Sequence, residues 1–403
     1  MKKIPVIFIT GIVAMVVFFN GCNRSQPASI EPELSKILKN DWQEYKKDKP
    51  NFTGGLVMQI LSPKGEYFIS TGLPDVTSAH HFRIASVTKT FTAAGIMLLQ
   101  QKGLLSIDDK ITDNVPGKNI PYVPDTADYD MPYKKNITIR RLLMHRAGIF
   151  DITNNDIPDN EFSHNQPYVG QSYLEYMEEK DISHTFTLDE LVGVNAANHL
   201  SFFTPGTAYH YSDTGYSILG KIIERVSGKS YADFIKEELL VPNELLDTSL
   251  PFDGADQDLP TPYVKGYVWM KDKSEEVTKS NMSPHVAEGN IISTAKDLSL
   301  WGKKLFHGQA GPNKETVEIM KTGLKTDDKT DAAYGLGIGH SSKIGYGHAG
   351  AHEGYLALLY YIPETDTTYV MFTNAWNLQD GLDSLMNEIK VMTEIANKIL
   401  KKI

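Results

Sequence analysis

The first clear pattern of apolar and polar positions after the N-terminal region has a helical period. Between residues 31 and 47, apolar residues recur every three or four positions and therefore share one face of a helix. They are Leu34, Ile37, Leu38 and Trp42. In residues 53–71, "TGGLVMQILSPKGEYFIST", an apolar strand and a second strand flank a Ser-Pro-Lys-Gly turn. These patterns predict a helix followed by a β-hairpin.

Helical patterns dominate the middle of the chain. A helix is predicted to begin at Ser86, to continue through "FTAAGIMLLQQ" and to end at Gly103. From residue 112 to residue 330, polar connections rich in Pro and Asp separate the helical segments. These segments lie at 187–199, 214–227 and 230–240.

Strand-like runs return near the C-terminus. They are "YGLGIGH", "KIGYGHAG", "GYLALLYYIP" and "TTYVMFTNA". A last helix is predicted within 381–403, with lysines at its C-terminal end, where the helix dipole favours positive charge. The predicted fold class is therefore α+β. A mostly antiparallel sheet is built from both chain ends and flanked by helices, and an all-α subdomain at about 112–330 is inserted into it.

The N-terminal 22 residues have a different character. Lys2 and Lys3 precede an almost wholly apolar stretch, residues 4–19, which is shorter than the roughly 20 residues that a spanning helix needs. This pattern predicts a signal peptide over 1–22. Its end, "FNGC", resembles the lipobox of bacterial lipoproteins, and the resemblance implies that Cys22 is lipidated after cleavage. The alternative is an incidental cysteine in an uncleaved anchor.

Both alternatives predict a protein that is exported and tethered to a membrane. Residues 23–30 are then a polar tether, and 31–403 form the functional domain. The predicted location is the cell envelope, on the periplasmic or the outer surface. The lipid would be the membrane contact, because Cys22 is the only cysteine and no basic patch is present.

Composition and charge narrow the class of partner. The chain has 403 residues, 41% of them hydrophobic and 22% charged, as in ordinary globular proteins. The net charge is −10, and no block of Lys and Arg forms a footprint for phosphates, which argues against a nucleic-acid partner. The sequence does not predict an oligomeric state.

Ser86 and Lys89 are the first candidates for chemistry, because positions three apart share a helix face. A second Ser-x-x-Lys, Ser293 to Lys296, resembles a helix cap, since Asp297 follows Thr294 by three positions. Lys89 lies beside core-facing residues in a first helical turn, where the dipole opposes its charge. This is a sensible position for a desolvated amine. These local features leave Ser86 open as a nucleophile or as a helix cap.

Several competing sites are absent from the sequence. No Gly-x-Ser-x-Gly is present, which excludes the nucleophile elbow of α/β-hydrolases, and no His-Glu-x-x-His is present. The pairs His80-His81 and His348/His352 lack a spaced third ligand for zinc. We therefore expect no metal site and no cofactor.

Three motifs in order separate the two interpretations of Ser86. Ser-x-x-Lys at 86–89 is followed by "YSD" at 211–213 and "HAG" at 348–350. In this order they resemble the serine hydrolases of the β-lactamase and penicillin-binding fold. The branch that they resemble holds the class C β-lactamases, the D-alanyl-D-alanine carboxypeptidases and related esterases. The similarity runs from about residue 52 to residue 375. It also covers "ITIRRLLMHRAGI", "PGTAYHYSDTGYSILGKIIERVSGKSY" and "EGNIISTAKDLSLWG".

The resemblance implies a role for each matched residue. Ser86 would be acylated, and Lys89 and Tyr211 would carry its proton, with either of them as the base. The backbone N–H groups of Ser86 and Ala351 would form the oxyanion hole, and Gly350 would let the strand approach the substrate. His348 would assist proton transfer or contact an anionic group.

Two departures from the family pattern bear on the substrate. Asp213 stands where the family usually has Asn, and we expect it to pair with Lys89, raising the pKa of Lys89 and weakening it as a base. Ala349 and Ala351 lack the hydroxyls that often help to hold a substrate carboxylate, and Glu353 adds negative charge nearby.

The functional prediction is a serine hydrolase that forms an acyl-enzyme on Ser86. Its substrate would be a small molecule or peptide with an ester, amide or peptide bond. Carboxypeptidase-like and esterase-like activities are equally favoured, and efficient β-lactam hydrolysis is not expected. The alternative is a binding protein of the same fold that has lost turnover because Asp213 disturbs Lys89.

Overall fold

The computed structural model describes residues 29–403, so the predicted signal peptide, Cys22 and most of the tether lie outside the described residues. The helices are α1 Glu31–Lys46, α2 Thr88–Gln101, α3 Ile139–Leu143, α4 Tyr173–Lys180, α5 Leu188–Ala197, α6 Asp213–Ser227, α7 Tyr231–Ile235, α8 Ala295–Phe306, α9 Lys314–Lys321 and α10 Leu382–Leu400. The N-terminal strands are β1 Leu56–Ser62, β2 Gly65–Thr71 and β3 His81–Arg83. The remaining strands are β4 Tyr267–Met270, β5 Lys273–Glu276, β6 Ile292–Thr294, β7 Leu324–Lys325, β8 Ala333–Tyr334, β9 Gly339–Ser341, β10 Gly345–His352, β11 Tyr355–Ile362, β12 Thr367–Thr373 and β13 Ala375–Asn377.

The main sheet joins the two ends of the chain. Eight strands lie in the order β2-β1-β12-β11-β10-β9-β8-β7, and every pairing is antiparallel. The N-terminal hairpin enters at β1, where Leu56 is opposite Thr373 and Leu61 is opposite Thr368. The predicted α+β fold with a sheet from both chain ends is therefore confirmed.

Both faces of the sheet are covered by helices. Leu56 and Met58 of β1 join a core with α1 and α10, which includes Trp42 and Met392. Val57 points to the opposite face and joins the larger core with α2 and α8. Because successive strand residues face opposite sides and both sides are buried, β1 is apolar on both faces rather than alternating, with the buried Gln59 as the one polar residue between Leu56 and Leu61.

The region predicted as an inserted helical subdomain, residues 112–330, contains the helices α3 to α9 and also four strands, β4 to β7. Part of it has its own small core, which includes Phe150, Phe186 and Leu191. Helix α8 instead packs on the main sheet against β1, β11 and β12. Within residues 29–403, no helix combines the length and hydrophobicity of a membrane-crossing segment.

The second Ser-x-x-Lys belongs to this scaffold. Ser293 lies in β6, where its hydroxyl hydrogen-bonds to Thr248 at 2.8 Å. Thr294 caps α8 by accepting a hydrogen bond from the Asp297 N–H, as the pattern predicts. The Asp297 carboxylate accepts from Asp247 and Thr248.

Candidate active site

Ser86 lies in a short turn rather than at the first position of a helix. A 3-10 turn, Ala85–Val87, precedes α2, and one residue, Ile84, separates it from β3. Ala85 has φ +49°, a left-handed conformation that costs a non-glycine residue about 1–3 kcal/mol. The turn is fixed because β3 pairs with β6 and because Ile84 N–H donates to the Ile291 carbonyl at 3.1 Å. Ser86 stays partly exposed, and the one hydrogen bond of its hydroxyl within residues 29–403 comes from Lys89.

Lys89 is fully buried one turn further on. Its ammonium lies 3.1 Å from Ser86 Oγ and 2.6 Å from Asp213 Oδ1, so the predicted pairing with Asp213 is present. It also donates to the Glu288 carbonyl at 2.9 Å and lies 3.1 Å from Glu288 Oε2. Burial on its own lowers the pKa of Lys89, but the carboxylates of Asp213 and Glu288 raise that pKa well above its ordinary value. Lys89 is therefore a fixed cation.

Tyr211 covers the other side of the ammonium. Its ring centroid is 4.8 Å from Lys89 Nζ and 4.1 Å from the His145 ring. The hydroxyl is buried and makes no hydrogen bond to residues 29–403. Burial raises the pKa of Tyr211 well above its ordinary value, and the charge of Lys89 lowers it by less. The phenol is thus protonated at rest.

His145 supports the Tyr211 segment. Its Nδ1 accepts from the Ser212 N–H at 3.1 Å, and its carbonyl accepts from the His210 N–H. Burial, followed by the charge of Lys89, holds the pKa of His145 well below its usual range. The ring is therefore neutral, and the ring and the backbone carbonyl of His145 together fix the chain on both sides of Tyr211.

Asp213 accepts hydrogen bonds from several sides. It is the first residue of α6, next to the cap Ser212, and its Oδ2 accepts from Asn154 at 2.7 Å. Its backbone N–H donates to Asp151, which is itself buried. Burial and the neighbouring Asp213 raise the pKa of Asp151 to about 6. For Asp213 itself, burial alone raises the pKa, but Lys89 and Asn154 outweigh burial and lower it.

Strand β10 runs past Ser86 along its unpaired edge. Strand β9 pairs only with residues 345–347 of β10, which leaves residues 348–352 beside the Ser86 turn. At Gly350, a Cβ would lie 2.2 Å from the Ile84 carbonyl oxygen and 3.1 Å from the Ser86 nitrogen. Only glycine permits this approach, and the exposed Ala351 follows it. The arrangement suits the predicted pair of backbone donors, Ser86 and Ala351.

His348 is engaged through both ring nitrogens. Nδ1 faces the Ala349 carbonyl, which can only accept, so Nδ1 carries the proton and Nε2 accepts from Tyr334 at 2.9 Å. Burial, and next to it the charge of Lys89, lower the pKa of His348 to about 4. The neutral ring has no free donor for an anionic group, which argues against the predicted anion contact. A role in proton transfer stays a prediction.

Sequence reasoning missed Glu288, Asp151 and Tyr334 as members of this site. Glu288 contacts Lys89 across 199 residues of sequence. One general signal pointed to Glu288: a fully buried lysine ammonium beside a single carboxylate still needs acceptors for its other N–H groups. The sequence spacing does not indicate which acidic residue supplies them.

The fold and the ordered serine, lysine and tyrosine define a β-lactamase/transpeptidase-like protein. The β-lactamase family profile matches residues 62–389, and the chain belongs to that family. It is 26% identical over 306 residues to "Penicillin-binding protein 4*" of Bacillus subtilis, covering 73% of this chain and 60% of that protein. It is 25% identical to "Penicillin-binding protein 4" of Amycolatopsis lactamdurans, covering 78% of this chain and 77% of the relative. The chain thus spans less than two thirds of the Bacillus protein.

Solved structures have the same architecture. A D-stereospecific amidohydrolase from Streptomyces sp. superposes with a TM-score of 0.68 at 25% identity, covering 86% of this chain and 94% of that one. A D-amino acid amidase from Ochrobactrum anthropi SV3 gives a TM-score of 0.71 at 22% identity, with 92% and 99% covered. The second likeness shows the fold alone.

Proposed function

We propose that this chain is a serine hydrolase that forms an acyl-enzyme on Ser86 and cleaves an ester, amide or peptide bond. The observation that carries the proposal is the buried Lys89 ammonium, which donates to Ser86 Oγ at 3.1 Å beside the open edge of β10. A capping serine would instead bond a backbone N–H of its own helix.

The proton path follows from the charges. Ser86 Oγ attacks the carbonyl carbon, and its proton passes to Tyr211 Oη as Tyr211 gives its own proton to the leaving oxygen or nitrogen. Lys89 is held as an ammonium, so it stabilises the developing charge rather than accepting the proton. The oxyanion is received by the N–H groups of Ser86 and Ala351. Water then releases the acyl group by the reverse path.

The lining disfavours a substrate carboxylate at this edge. Ala349 and Ala351 offer no hydroxyl, and the Asp213 carboxylate accepts hydrogen bonds where an amide would donate. The exposed Glu353 adds a negative charge. The preferred substrate is therefore an ester or an amide without a carboxylate there. The similarity to a D-stereospecific amidohydrolase supports an amide.

A second candidate function is binding without turnover. It is favoured by the 2.6 Å contact between Lys89 and Asp213, which strengthens the hold of Lys89 on its proton. Both functions use the same side chains beside β10, but only the hydrolase makes a covalent bond to Ser86.

A fluorophosphonate probe with intact-mass readout separates the two functions. We expect one adduct per chain, lost in Ser86→Ala and retained in Ser293→Ala, which removes the matched serine of the other Ser-x-x-Lys. An unlabelled wild type, or labelling that survives Ser86→Ala, would refute the hydrolase.

For the substrate, we expect turnover of a short-chain nitrophenyl ester or an amino acid amide to exceed that of a chromogenic cephalosporin. Rapid cephalosporin turnover would contradict the argument from Ala349, Ala351 and Asp213.

A further inference from the structure

Glu288 links the catalytic lysine to a histidine nearer the surface. Its Oε2 lies 3.1 Å from Lys89 Nζ, and its other oxygen, Oε1, lies 2.6 Å from His285 Nδ1. The Glu288 side chain is 3% exposed, whereas that of His285 is 19% exposed. Protons from solvent can therefore reach the histidine, and the carboxylate connects it to Lys89.

Among Lys89, Asp213, Glu288 and His285, the charges balance only when His285 is protonated. The buried Asp151 contacts the Asp213 N–H rather than Lys89, and it adds its own negative charge above its pKa of about 6. Lys89 supplies one positive charge, and both Asp213 and Glu288 lie within ion-pair distance of it. With a neutral His285, one excess negative charge is buried beside Ser86. With a protonated His285, the two cations offset the two carboxylates.

The groups that face His285 favour its charged form. They are Glu288 on its own loop, Asp213 at the start of α6 and Glu178 of α4, with His352 of β10 edge-on at 5.1 Å. Burial on its own lowers the pKa of His285, but the three acids together raise it above 6.5. Burial, then His285 and Arg83, hold the pKa of His352 well below its usual range, so His352 adds no charge.

Resting on the proposed acyl-enzyme, we propose that His285 and Glu288 are positioning residues that set the net charge around the Lys89 ammonium, so that acylation of Ser86 depends on the charge of His285. A protonated His285 compensates Glu288 and weakens its hold on the ammonium. Loss of that proton removes a positive charge and leaves the Glu288 carboxylate uncompensated near Ser86, which opposes the development of negative charge on Ser86 Oγ. Acylation therefore slows as pH rises through the pKa of His285.

The pH dependence of Ser86 labelling tests this coupling. The second-order rate constant for the fluorophosphonate is measured from about pH 5.5 to about pH 9, a range that spans histidine titration. We expect the wild-type rate to fall about tenfold on the alkaline side, which is the effect of about one pKa unit. His285→Asn should lose this alkaline fall, since an amide does not titrate. Glu288→Gln should also lose it and should match or exceed the wild-type rate at high pH.

A purely structural role would lower the rate at every pH and leave the shape of the profile unchanged, and that result would overturn the proposal. His307→Asn is the matched control, because His307 forms a 2.6 Å pair with Asp366 at the end of α8. If Glu288→Gln does not fold, His285→Asn alone decides the question.

A second readout separates this proposal from the proposed function. In Ser86→Ala, NMR should show a His285 midpoint raised above that of an ordinary histidine, and adding Glu288→Gln should lower that midpoint. An unchanged midpoint would refute the proposed coupling between His285 and Glu288 even if Ser86 is labelled. An unlabelled wild type with a shifted midpoint would refute the hydrolase but would leave the coupling between His285 and Glu288 supported.

Discussion

At the scale of single residues, the substitution of aspartate for an amide at position 213 changes what Lys89 can do. A lone ammonium is costly to bury, and a carboxylate at 2.6 Å offsets much of that cost. The same contact holds the proton on Lys89. In the proposed mechanism, proton transfer therefore falls to Tyr211, whose hydroxyl makes no hydrogen bond to residues 29–403.

Replacing Asp213 with Asn should reverse this balance. The amide keeps the shape of the side chain, removes one negative charge from Lys89 and adds a donor that can face a substrate carbonyl. We expect cephalosporin turnover to rise about tenfold, as for about one unit of Lys89 pKa. Asp151→Asn is the control, because Asp151 contacts the Asp213 N–H but not Lys89. Unchanged cephalosporin turnover in Asp213→Asn would contradict the assigned role.

At the scale of elements, predictability depends on whether an element is specified by its own residues. The α1 stripe, the β1–β2 hairpin and the α8 cap follow from local patterns, and the structure has them at the predicted places. The prediction that a helix begins at Ser86 was wrong, because Ser86 lies in the turn before α2. The left-handed conformation of Ala85 in that turn is imposed by β6 and by Ile291. Glu288 escaped prediction for the same reason, since a partner 199 residues away leaves no local period.

The contact between β10 and the Ser86 turn gives a prediction at this scale. Gly350→Ala would place a Cβ 2.2 Å from the Ile84 carbonyl oxygen, so the strand and the turn must separate. Since removal of an oxyanion donor costs about 100-fold or more, we expect a comparable fall in Ser86 labelling. Gly339→Ala, whose Cβ would have its nearest neighbour at 3.5 Å, should label like the wild type. Equal labelling of both variants would exclude a role for this edge.

Helix α10 gives a prediction about pH and stability. Glu388 is fully buried, its Oε2 accepts from the Asn377 N–H at 2.8 Å, and burial raises its pKa from 4.5 to about 8. The stabilisation of the folded state by protonated Glu388 is fully present below pH 4.5 and is lost as pH rises to about 8, since Glu388 ionises at lower pH in the unfolded chain than in the folded one. Glu388→Gln should flatten the fall in unfolding free energy over that range, at about 1.4 kcal/mol per pKa unit.

Urea denaturation at both ends of this pH range measures the effect. Glu394→Gln is the control, because Glu394 is exposed on the same helix. If Glu388→Gln and the wild type lose stability in parallel, Glu388 is not the titrating group.

At the scale of the whole molecule, the predicted signal peptide and lipid anchor precede a domain whose N-terminal hairpin, β1–β2, pairs with the C-terminal strand β12. We propose that Cys22 tethers residues 31–403 to the cell envelope through the short tether 23–30. Intact-mass analysis of the membrane fraction should show a lipid adduct on the mature N-terminus. Cys22→Ala should abolish the adduct and leave Ser86 labelling unchanged. A wild type without lipid would contradict the anchor.

The join between the two chain ends also sets an order of events during synthesis. Gly55 N–H donates to the Asn374 side chain across 319 residues, so β1 stays without β12 until almost the whole chain has been made. Loop closure over such a span is slow, and the apolar β1 is meanwhile exposed to aggregation. A chain that is stalled on the ribosome or truncated before β12 would therefore expose the apolar hairpin β1–β2 without its partner strand. The main sheet can form completely only after almost the whole polypeptide has been synthesised.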